Sequence, residues 1–507
     1  MNKYSLFIFV LFCWTCNRWE YDDPSVMVPA AEPETYLSLV AMDTIYASVD
    51  SSGSIIYTIG ETPDSGMVWD TLDQAFTTIT TSRQVLHWWG EDPDGQVLGY
   101  YYKWSSDSSW IFTNLESGTF YIPIRSELDV FSFEVKAEDD NGNIDNTPSR
   151  IVLPIRNSAP TISFRYFSNP QIANIGSDTT YTFPTRTFNW DIYDQDGNET
   201  ITDIYYALDD TCSTCWTRLS GNQSSLTLTG LTPGQRTFYL QCQDIAGAGS
   251  TIIQFPDTTA VGEALVWIVK PIVGDVLIVD DYPLDNQNNT LAWYASLMDT
   301  VAGENEYSIW EIGDELPYST TDVTANLNYF KHVIWFAAYN NTAAANDTYN
   351  AAEASLLNFI IGGGNLFINP IDFEDTTFTW FPLDSIMTLN PNGRLLPGKE
   401  LICDFNPELD LFVSHLIAVK VKGFWPDESE FADVREIYHM ADPESGDGWQ
   451  GNPTVCSIGQ YQVSPTELSG KVVILTLPLH DGYRPKLNGN GSSIKLFQYL
   501  FTEEFSE

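Results

Sequence analysis

Alternation of apolar and polar residues dominates the first half of the chain. In the run FSFEVKA at 131–137, every second residue is apolar, and the run FYLQC at 238–242 repeats the pattern. A two-residue period is typical of a half-buried antiparallel β-strand. Short runs of this kind, separated by Gly, Asp, Asn and Pro, predict β-sandwich domains of about a hundred residues each.

Two long segments of this region are similar to each other. Residues 86–110 and 188–216 each contain a Trp, an Asp-x-Asp-Gly turn, an aromatic strand, an acidic turn and a second Trp. The repeat resembles tandem fibronectin type III or other immunoglobulin-like domains. That resemblance implies one sandwich over 36–156 and a second over 157–265, and it indicates fold rather than function.

The Asp-x-Asp-Gly turns contain the acidic pairs Asp92/Asp94 and Asp194/Asp196. Clustered carboxylates are ligands that calcium prefers, so these four residues are weak calcium candidates. Neither turn supplies the further acidic residues of an EF-hand, and Asp and Gly are favoured in turns for conformational reasons. The prediction is therefore a structural turn, with a calcium site as the alternative.

Cysteine usage is sparse after the first sixteen residues. Cys212 and Cys215 form a C-x-x-C motif in the acidic turn of the second repeat. No second pair of zinc ligands lies nearby, and the strand-helix context of a redox motif is missing. A local disulfide between Cys212 and Cys215 is predicted for an oxidising compartment.

The pattern changes after residue 273. The run GDVLIVDD at 274–281 is continuously apolar until its two acids, which is typical of a parallel strand buried on both faces. Helical spacing over 348–361 ends at three glycines, and another apolar strand follows. Alternating strands and helices predict an α/β doubly wound domain over 274–507.

The succession of a first strand ending in Asp, a helix leading into Gly-Gly-Gly and a late GKVVILTLPL strand resembles the class I glutamine amidotransferase-like (flavodoxin-like) superfamily. That family implies a nucleophilic Cys between glycines at a strand-to-helix turn. Cys403 lies in LICDFN and Cys456 in TVCSI, and neither has this context. The domain is therefore expected to lack the nucleophile and its glutaminase activity.

Polar residues follow several of the predicted parallel strands. Open α/β sheets bind ligands at the carboxyl ends of their strands. Carboxylates beside a His are suited to binding a metal ion or sugar hydroxyls, or to acting as a base. Loop ends are also rich in Asp and Asn for turn formation, so solvated loops are the expectation and a ligand crevice the alternative. The crevice candidates are Asp280, Asp281, Asn340, Asn369, Asp372, His480 and Asp481.

The first residues resemble a bacterial lipoprotein signal. Residues 1–16 contain one Lys and a short apolar run ending at Cys16, which is too short for a membrane span. Thr15 is small, as such signals require before the lipidated Cys. Cys16 is the predicted lipidation site and 17–35 a Pro-containing tether, with plain secretion or a retained anchor as alternatives.

Charge narrows the classes of partner. The 507 residues contain 23 Lys and Arg against 68 Asp and Glu, a net charge of −45. Nucleic acid and anionic lipid surfaces are repelled, so membrane contact is expected only through the N-terminal lipid. Proteins and polysaccharides remain as cell-surface partners.

The function predicted from these features is that of an exported lipoprotein, at the outer membrane, cell surface or periplasm. It acts as a non-catalytic binding or assembly module and needs no cofactor. Two alternatives remain open. One is an extracytoplasmic hydrolase, possibly carbohydrate-active, that uses the crevice at Asp280, Asp281, His480 and Asp481. The other is a calcium-dependent adhesion module.

Overall fold

The computed structural model describes most of the chain. The described residues are 31–39, 45–49, 55–59, 82–122, 124, 128–165, 179–257, 265–281, 289–312, 316–317, 319–339, 348–371, 381–426, 431–488 and 492–506. Cys16, Asn340 and Asp372, with the predicted signal and most of the predicted tether, lie outside them. The chain divides into two compact units. The first contains 1–160 with the loops 193–202 and 243–249, and the second contains the rest.

The first unit is built on an antiparallel β-sandwich. One sheet has the order β1-β4-β7, the other β6-β5-β8-β9, and β2 and β3 form a separate hairpin. The strands are β1 Glu34–Leu39, β2 Ile45–Val49, β3 Ile55–Ile59, β4 Arg83–Glu91, β5 Val97–Trp104, β6 Ile111–Thr113, β7 Ser117–Tyr121, β8 Leu128–Asp139 and β9 Ser149–Arg156.

The core of this sandwich is aromatic because inward positions of both sheets carry large rings. Trp88 on β4 is 1% exposed and packs 5.6 Å from Phe133 on β8, measured between ring centroids. Its indole nitrogen donates a hydrogen bond of 2.8 Å to the carbonyl of Leu115. The indole therefore fills the core without leaving a buried donor unsatisfied.

The second sandwich repeats this arrangement. Its sheets have the orders β10-β12-β15 and β14-β13-β17-β18, and a small additional sheet has the order β11-β19-β16. The strands are β10 Thr161–Phe164, β11 Thr179–Thr182, β12 Arg186–Tyr193, β13 Ile201–Leu208, β14 Thr217–Ser220, β15 Ser225–Leu228, β16 Gly234–Arg236, β17 Phe238–Asp244, β18 Ile253–Phe255 and β19 Val266–Val269, with a 3₁₀ turn at Asn198–Thr200.

Trp190 on β12 occupies the position that Trp88 has in the first repeat. It is fully buried, and its indole nitrogen donates a 2.8 Å hydrogen bond to the carbonyl of Gln223. Beside it, the rings of Phe188 and Phe238 stack at 4.1 Å. The prediction of two tandem β-sandwich domains is confirmed, and the repeated Trp is a core residue in both.

The remainder of the second unit forms one mixed sheet with helices. Strands β21-β20-β22-β23-β32 are parallel, and the sheet continues through antiparallel strands in the order β29-β28-β25-β26-β33. Beside this path, β27 pairs with β29 and β24, and β30 and β31 form a separate hairpin. The strands are β20 Val276–Asp281, β21 Ser308–Glu311, β22 His332–Tyr339, β23 Asn365–Ile371, β24 Ser385–Thr388, β25 Glu400–Ile402, β26 Leu411–Val413, β27 Lys422–Trp425, β28 Asp433–Met440, β29 Thr454–Gln460, β30 Gln462–Ser464, β31 Glu467–Leu468, β32 Val472–Leu475 and β33 Leu487–Asn488.

Helices cover the two faces of the parallel strands. They are α1 Asn289–Val301, α2 Thr320–Asn328, α3 Thr348–Ala351, α4 Glu353–Ile361 and α5 Ser492–Tyr499, which continues as a π-helical turn Leu500–Glu504, and a 3₁₀ turn lies at Pro407–Leu409. Side chains of α1 and α5 pack on one face and those of α2 and α4 on the other. No helix within the described ranges is long and apolar enough to cross a membrane.

A buried ion pair joins the second sandwich to helix α2. Asp322 accepts hydrogen bonds from the backbone nitrogen and the hydroxyl of Thr187, at 2.9 and 2.6 Å. Its carboxylate also lies 3.4 Å from the guanidinium of Arg186, and both charged side chains are 3% exposed. Burial lowers the pKa of Arg186 to about 10 and raises the pKa of Asp322, since each charged form is costly away from water.

We expect Trp190→Ala to lower the free energy of unfolding by about 3–5 kcal/mol, because it removes a fully buried indole and leaves a cavity. Tyr193→Ala on the same strand is the control, since Tyr193 is 62% exposed. Urea denaturation of both variants provides the measurement. Equal losses for the two would contradict the core position of Trp190.

Asp322→Ala should cost about 3–5 kcal/mol, because the Arg186 guanidinium would remain buried without its counter-charge. Replacing both residues together, as Arg186→Met and Asp322→Leu, should restore most of that loss since no charge then stays buried. Denaturation of the single and double variants measures the coupling. A double variant that is as unstable as Asp322→Ala would contradict this explanation of the loss.

Candidate functional site

The two acids that end β20 point to opposite faces of the sheet. Asp280 is in register with Phe336 and, through it, with Asn369, so these three side chains share one face. Asp281 is the next residue and points the other way, where its carboxylate accepts a 2.9 Å hydrogen bond from the indole nitrogen of Trp335. The described crevice candidates are therefore divided between two faces.

Asn369 is a structural residue. Its side-chain oxygen accepts hydrogen bonds from the hydroxyl of Tyr294 at 3.0 Å and the backbone nitrogen of Leu479 at 3.1 Å. Its amide nitrogen donates to the carbonyls of Leu475 and Leu477, at 2.6 and 2.9 Å. These four bonds use the donors and acceptors of the amide, so Asn369 has none left for a ligand.

His480 is 5% exposed and belongs to the turn after β32. Its Nδ1 accepts a 3.1 Å hydrogen bond from the backbone nitrogen of Gly482 and lies 3.0 Å from the hydroxyl of Thr290 on α1. The imidazole also stacks on the ring of Trp293, with centroids 5.8 Å apart. These contacts fix the ring between the turn and the helix.

Asp481 closes the same turn. One carboxylate oxygen accepts hydrogen bonds from the backbone nitrogens of Tyr483 and Arg484, at 3.2 and 3.1 Å. The other lies 2.5 Å from the ammonium of Lys486. Asp281, Asn369, His480 and Asp481 are thus hydrogen-bonded within the fold, and Asp280 and Asp281 face opposite sides of the sheet.

The free thiols of the second unit are buried. Cys403 and Cys456 are both 0% exposed, and Cys456 pairs with Tyr438 on the neighbouring strand β28. Burial raises the pKa of both thiols, which disfavours the nucleophilic thiolate. Cys212 and Cys215 are joined by a disulfide in an exposed turn.

The Asp-x-Asp-Gly turn of the second repeat is tied to neighbouring backbone. The two carboxylate oxygens of Asp196 accept from the backbone nitrogens of Ser82 and Ser158, at 2.7 and 2.6 Å. Asp194 accepts from the backbone nitrogen of Asp196 at 2.8 Å and from the hydroxyl of Thr200 at 3.1 Å. Every carboxylate oxygen of this pair therefore has a protein donor.

The equivalent turn of the first repeat is also tied to backbone, but Oδ2 of Asp92 is buried without a hydrogen-bond partner among the described residues. Asp94 accepts from the backbone nitrogen of Ala31, at 3.1 Å from its nearer oxygen, and Asp92 accepts from the backbone nitrogen of Asp94 at 3.2 Å. A Cβ at Gly95 would lie 2.3 Å from Oδ1 of Asp140 and 2.4 Å from Oδ2 of Asp92, so a larger residue there would displace these carboxylates.

The two turns lie at opposite ends of one strand. Asp196 is bonded to Ser82, just before β4 begins, whereas Asp92 follows its last residue. The 9 residues of β4 span roughly 30 Å. The predicted acidic pairs therefore do not converge on one point.

The outer face of the sheet β6-β5-β8-β9 carries an aromatic pair, of which Phe112 is exposed and Tyr101 half-buried. Phe112 on β6 is 51% exposed, and its ring lies 5.1 Å from that of Tyr101 on β5. The ring of Phe112 also covers Gly99, where a Cβ would lie only 2.5 Å from it. Gly99 thus allows the ring to lie close to the sheet backbone.

Two ammonium groups lie beside these rings. Lys103 and Lys136 approach the ring of Trp110, with their nitrogens 4.7 and 4.5 Å from its centroid. Lys103 also pairs with Glu134 at 3.2 Å, whereas Lys136 forms no ion pair within the described part of the chain. We call Tyr101, Phe112, Trp110, Lys103 and Lys136 the aromatic–lysine face.

Sequence reasoning did not identify this face. Trp110 served only to mark the repeat, and the three-residue strand β6 carries too short a pattern to indicate an outward side. The pairing of Phe112 with Tyr101 depends on strand register. The alternation of Tyr101 and Lys103 along β5 was the one local signal available.

Comparisons with known proteins give no family. No protein-family model and no curated protein matches the chain. Among solved structures, fibronectin(III)-like modules of Clostridium thermocellum CbhA share 12% identity over 37% of this chain and 86% of theirs, with a TM-score of 0.17. A central fibronectin-III array of RIM-binding protein shares 8% identity over 46% of this chain and 72% of its own, with a TM-score of 0.15. A two-domain fibronectin type III segment of chicken tenascin shares 14% identity over 35% of this chain and 91% of its own, with a TM-score of 0.19. Scores this low carry no argument, so the assignment of the sandwiches rests on their strands.

The buried turn of the second repeat should make stability depend on pH. Burial, together with the charges of Asp196 and Asp244, raises the pKa of Asp194 from 3.8 to about 6. The folded state therefore holds this proton more tightly than the unfolded state. Its stabilising contribution is complete below pH 4 and is lost as the pH rises through about 6.

Asp194→Asn should remove this dependence, because the amide stays neutral. Between pH 4 and 7 we expect wild type to lose about 1–2 kcal/mol more stability than the variant. Urea denaturation across this range is the measurement. The control Glu199→Gln removes an exposed carboxylate of the same loop and should leave the pH dependence unchanged. A variant with the wild-type pH profile would disprove the assignment.

Proposed function

We propose that this protein is a non-catalytic binding module that holds a neutral polysaccharide on its aromatic–lysine face. The observation that carries the proposal is the exposed ring of Phe112 against the half-buried Tyr101, with Lys136 in register beside Tyr101. A rigid platform loses little conformational entropy when a ligand binds.

The chemistry of the face suits sugar rings. The C–H faces of a sugar are apolar and pack on an aromatic ring, while its hydroxyls need donors and acceptors at the rim. Lys103, Lys136 and Glu134 supply both. A neutral chain is favoured over a polyanion because the net charge of −45 repels the latter.

The proposed setting is the exterior of a bacterial cell. Residues 1–16 would direct export, Cys16 would carry the lipid, and 17–35 would act as a tether. The tether would then hold the first sandwich and its binding face away from the membrane. This setting fits the short apolar leader and the acidic composition.

We further assign the parallel part of the last sheet to a doubly wound, flavodoxin- or amidotransferase-like scaffold without the nucleophile. The first four strands lie across the sheet in the order β21-β20-β22-β23, in which the second strand in sequence is at the edge. This supports the assignment because it matches the flavodoxin-like order. The buried thiols and the hydrogen bonds that Asn369, His480 and Asp481 make within the fold favour an assembly role over hydrolysis. The two acidic turns lie at opposite ends of β4, which argues against calcium-dependent adhesion through both turns together.

Phe112→Ala should weaken polysaccharide binding about tenfold, which corresponds to roughly 1.4 kcal/mol, since the main stacking surface is lost. Affinity electrophoresis against neutral polysaccharides, followed by calorimetry on any that bind, provides the measurement. Tyr483→Ala removes an aromatic side chain that is 82% exposed in the second unit, and it should bind as wild type does. Binding that survives in Phe112→Ala, or no binding by wild type, would reject the proposal.

A further inference from the structure

A β-bulge in β28 places two polar side chains on the same side of the strand. The register of β28 against β29 shifts between Glu436 and Tyr438 and again between Tyr438 and His439. Residues three apart in a regular strand point to opposite faces. Here Ile437 and Tyr438 are both buried, at 2% and 0% exposure, so Glu436 and His439 can both face away from that core.

A third polar side chain joins them from the neighbouring strand. Ile402 at the end of β25 is in register with His439, which brings Asp404 alongside. The Nε2 of His439 lies 3.4 Å from a carboxylate oxygen of Asp404. One ligand atom each of Asp404, Glu436 and His439 lie within 4.8 Å of one another.

Groups outside the cluster orient two of its members. The Nδ1 of His439 lies 3.0 Å from the carbonyl of Met440, which accepts its proton and leaves the Nε2 lone pair directed at the carboxylates. The hydroxyl of Thr454 donates to Oε2 of Glu436, and Thr454 itself is 1% exposed. Metal-binding histidines and carboxylates are commonly held by such outer hydrogen bonds.

We propose that Asp404, Glu436 and His439 form a binding site for Zn²⁺ or a similar transition-metal ion. One imidazole nitrogen with two carboxylate oxygens suits such an ion, whereas calcium and magnesium prefer oxygen ligands alone. A zinc ion about 2.0–2.2 Å from each ligand atom requires ligand separations of roughly 3.3–3.5 Å, a small contraction of the present cluster. Asp404 is 80% exposed, so the ion enters from solvent and keeps a position for water.

The alternative is an ordinary ion pair between a protonated His439 and Asp404. Burial lowers the pKa of His439, but hydrogen bonds to Met440 and Asp404 and the charge of Glu436 raise it overall. The two readings differ in what they predict for added metal. A simple ion pair binds no zinc, whereas the three-ligand site takes up one ion per chain.

The test is a calorimetric titration of the purified, EDTA-treated and dialysed full chain with ZnCl₂, without reductant. We expect one Zn²⁺ per chain, at least tenfold weaker binding in Asp404→Ala, and loss of at least thirtyfold in His439→Ala. Asp404 is exposed, so its variant folds even if His439→Ala does not. Glu436→Gln keeps the shape of the side chain and should also lose tenfold or more.

Two controls separate this site from other zinc ligands. His415→Ala removes an exposed His of the same unit and should bind as wild type does. Cys212→Ser with Cys215→Ser removes the disulfide beside Asp210 and should also leave the affinity unchanged. The proposal is overturned if wild type binds no zinc up to about 1 mM, if His439→Ala and Asp404→Ala bind as wild type does, or if Ca²⁺ competes equally.

Discussion

The parallel strands of the second unit are apolar on both faces, and this constraint determines how that unit is assembled. All six residues of β20 are buried, so a cover is required on each side. Helices α1 and α5 supply one cover and α2 and α4 the other. The second cover also includes Phe183, which precedes β12 of the sandwich and lies against Phe330. The second sandwich therefore contributes a residue to this core.

Two oppositely charged side chains are buried at the junction between the second sandwich and helix α2. Arg186 begins β12, the middle strand of its sheet, and both it and Asp322 on helix α2 are only 3% exposed. The cost of burying the Asp322 carboxylate is offset by three hydrogen-bond donors, two of them from Thr187 and one from Arg186. The pair offers little net stability over an apolar contact, but loss of one partner would leave the other buried without its counter-charge.

Local periodicity explains which parts of the fold could be predicted. The alternating strands and the repeated Trp were readable because each signal lies within a few residues, and Trp88 and Trp190 indeed occupy matching core positions. The strand-end residues were not readable in the same way. Whether Asn369 is available to a ligand depends on carbonyls at 475 and 477, more than a hundred residues away. Asp280 and Asp281 look like a pair in sequence, but a strand separates adjacent side chains onto two faces.

Strand register and a local irregularity of one strand explain why two further features could not be predicted from the sequence. The aromatic–lysine face exists because Phe112 lies opposite Tyr101, and the cluster around His439 exists because a bulge breaks the two-residue period. Neither pairing nor bulge has a signature in one sequence. Both features lie on antiparallel strands, where one face packs on a core and the other is open to solvent. Parallel strands covered on both sides leave only their ends, and of the described end residues Asp281 and Asn369 are hydrogen-bonded to other parts of the protein. Binding chemistry in this chain is thus best sought on the open faces of its antiparallel sheets.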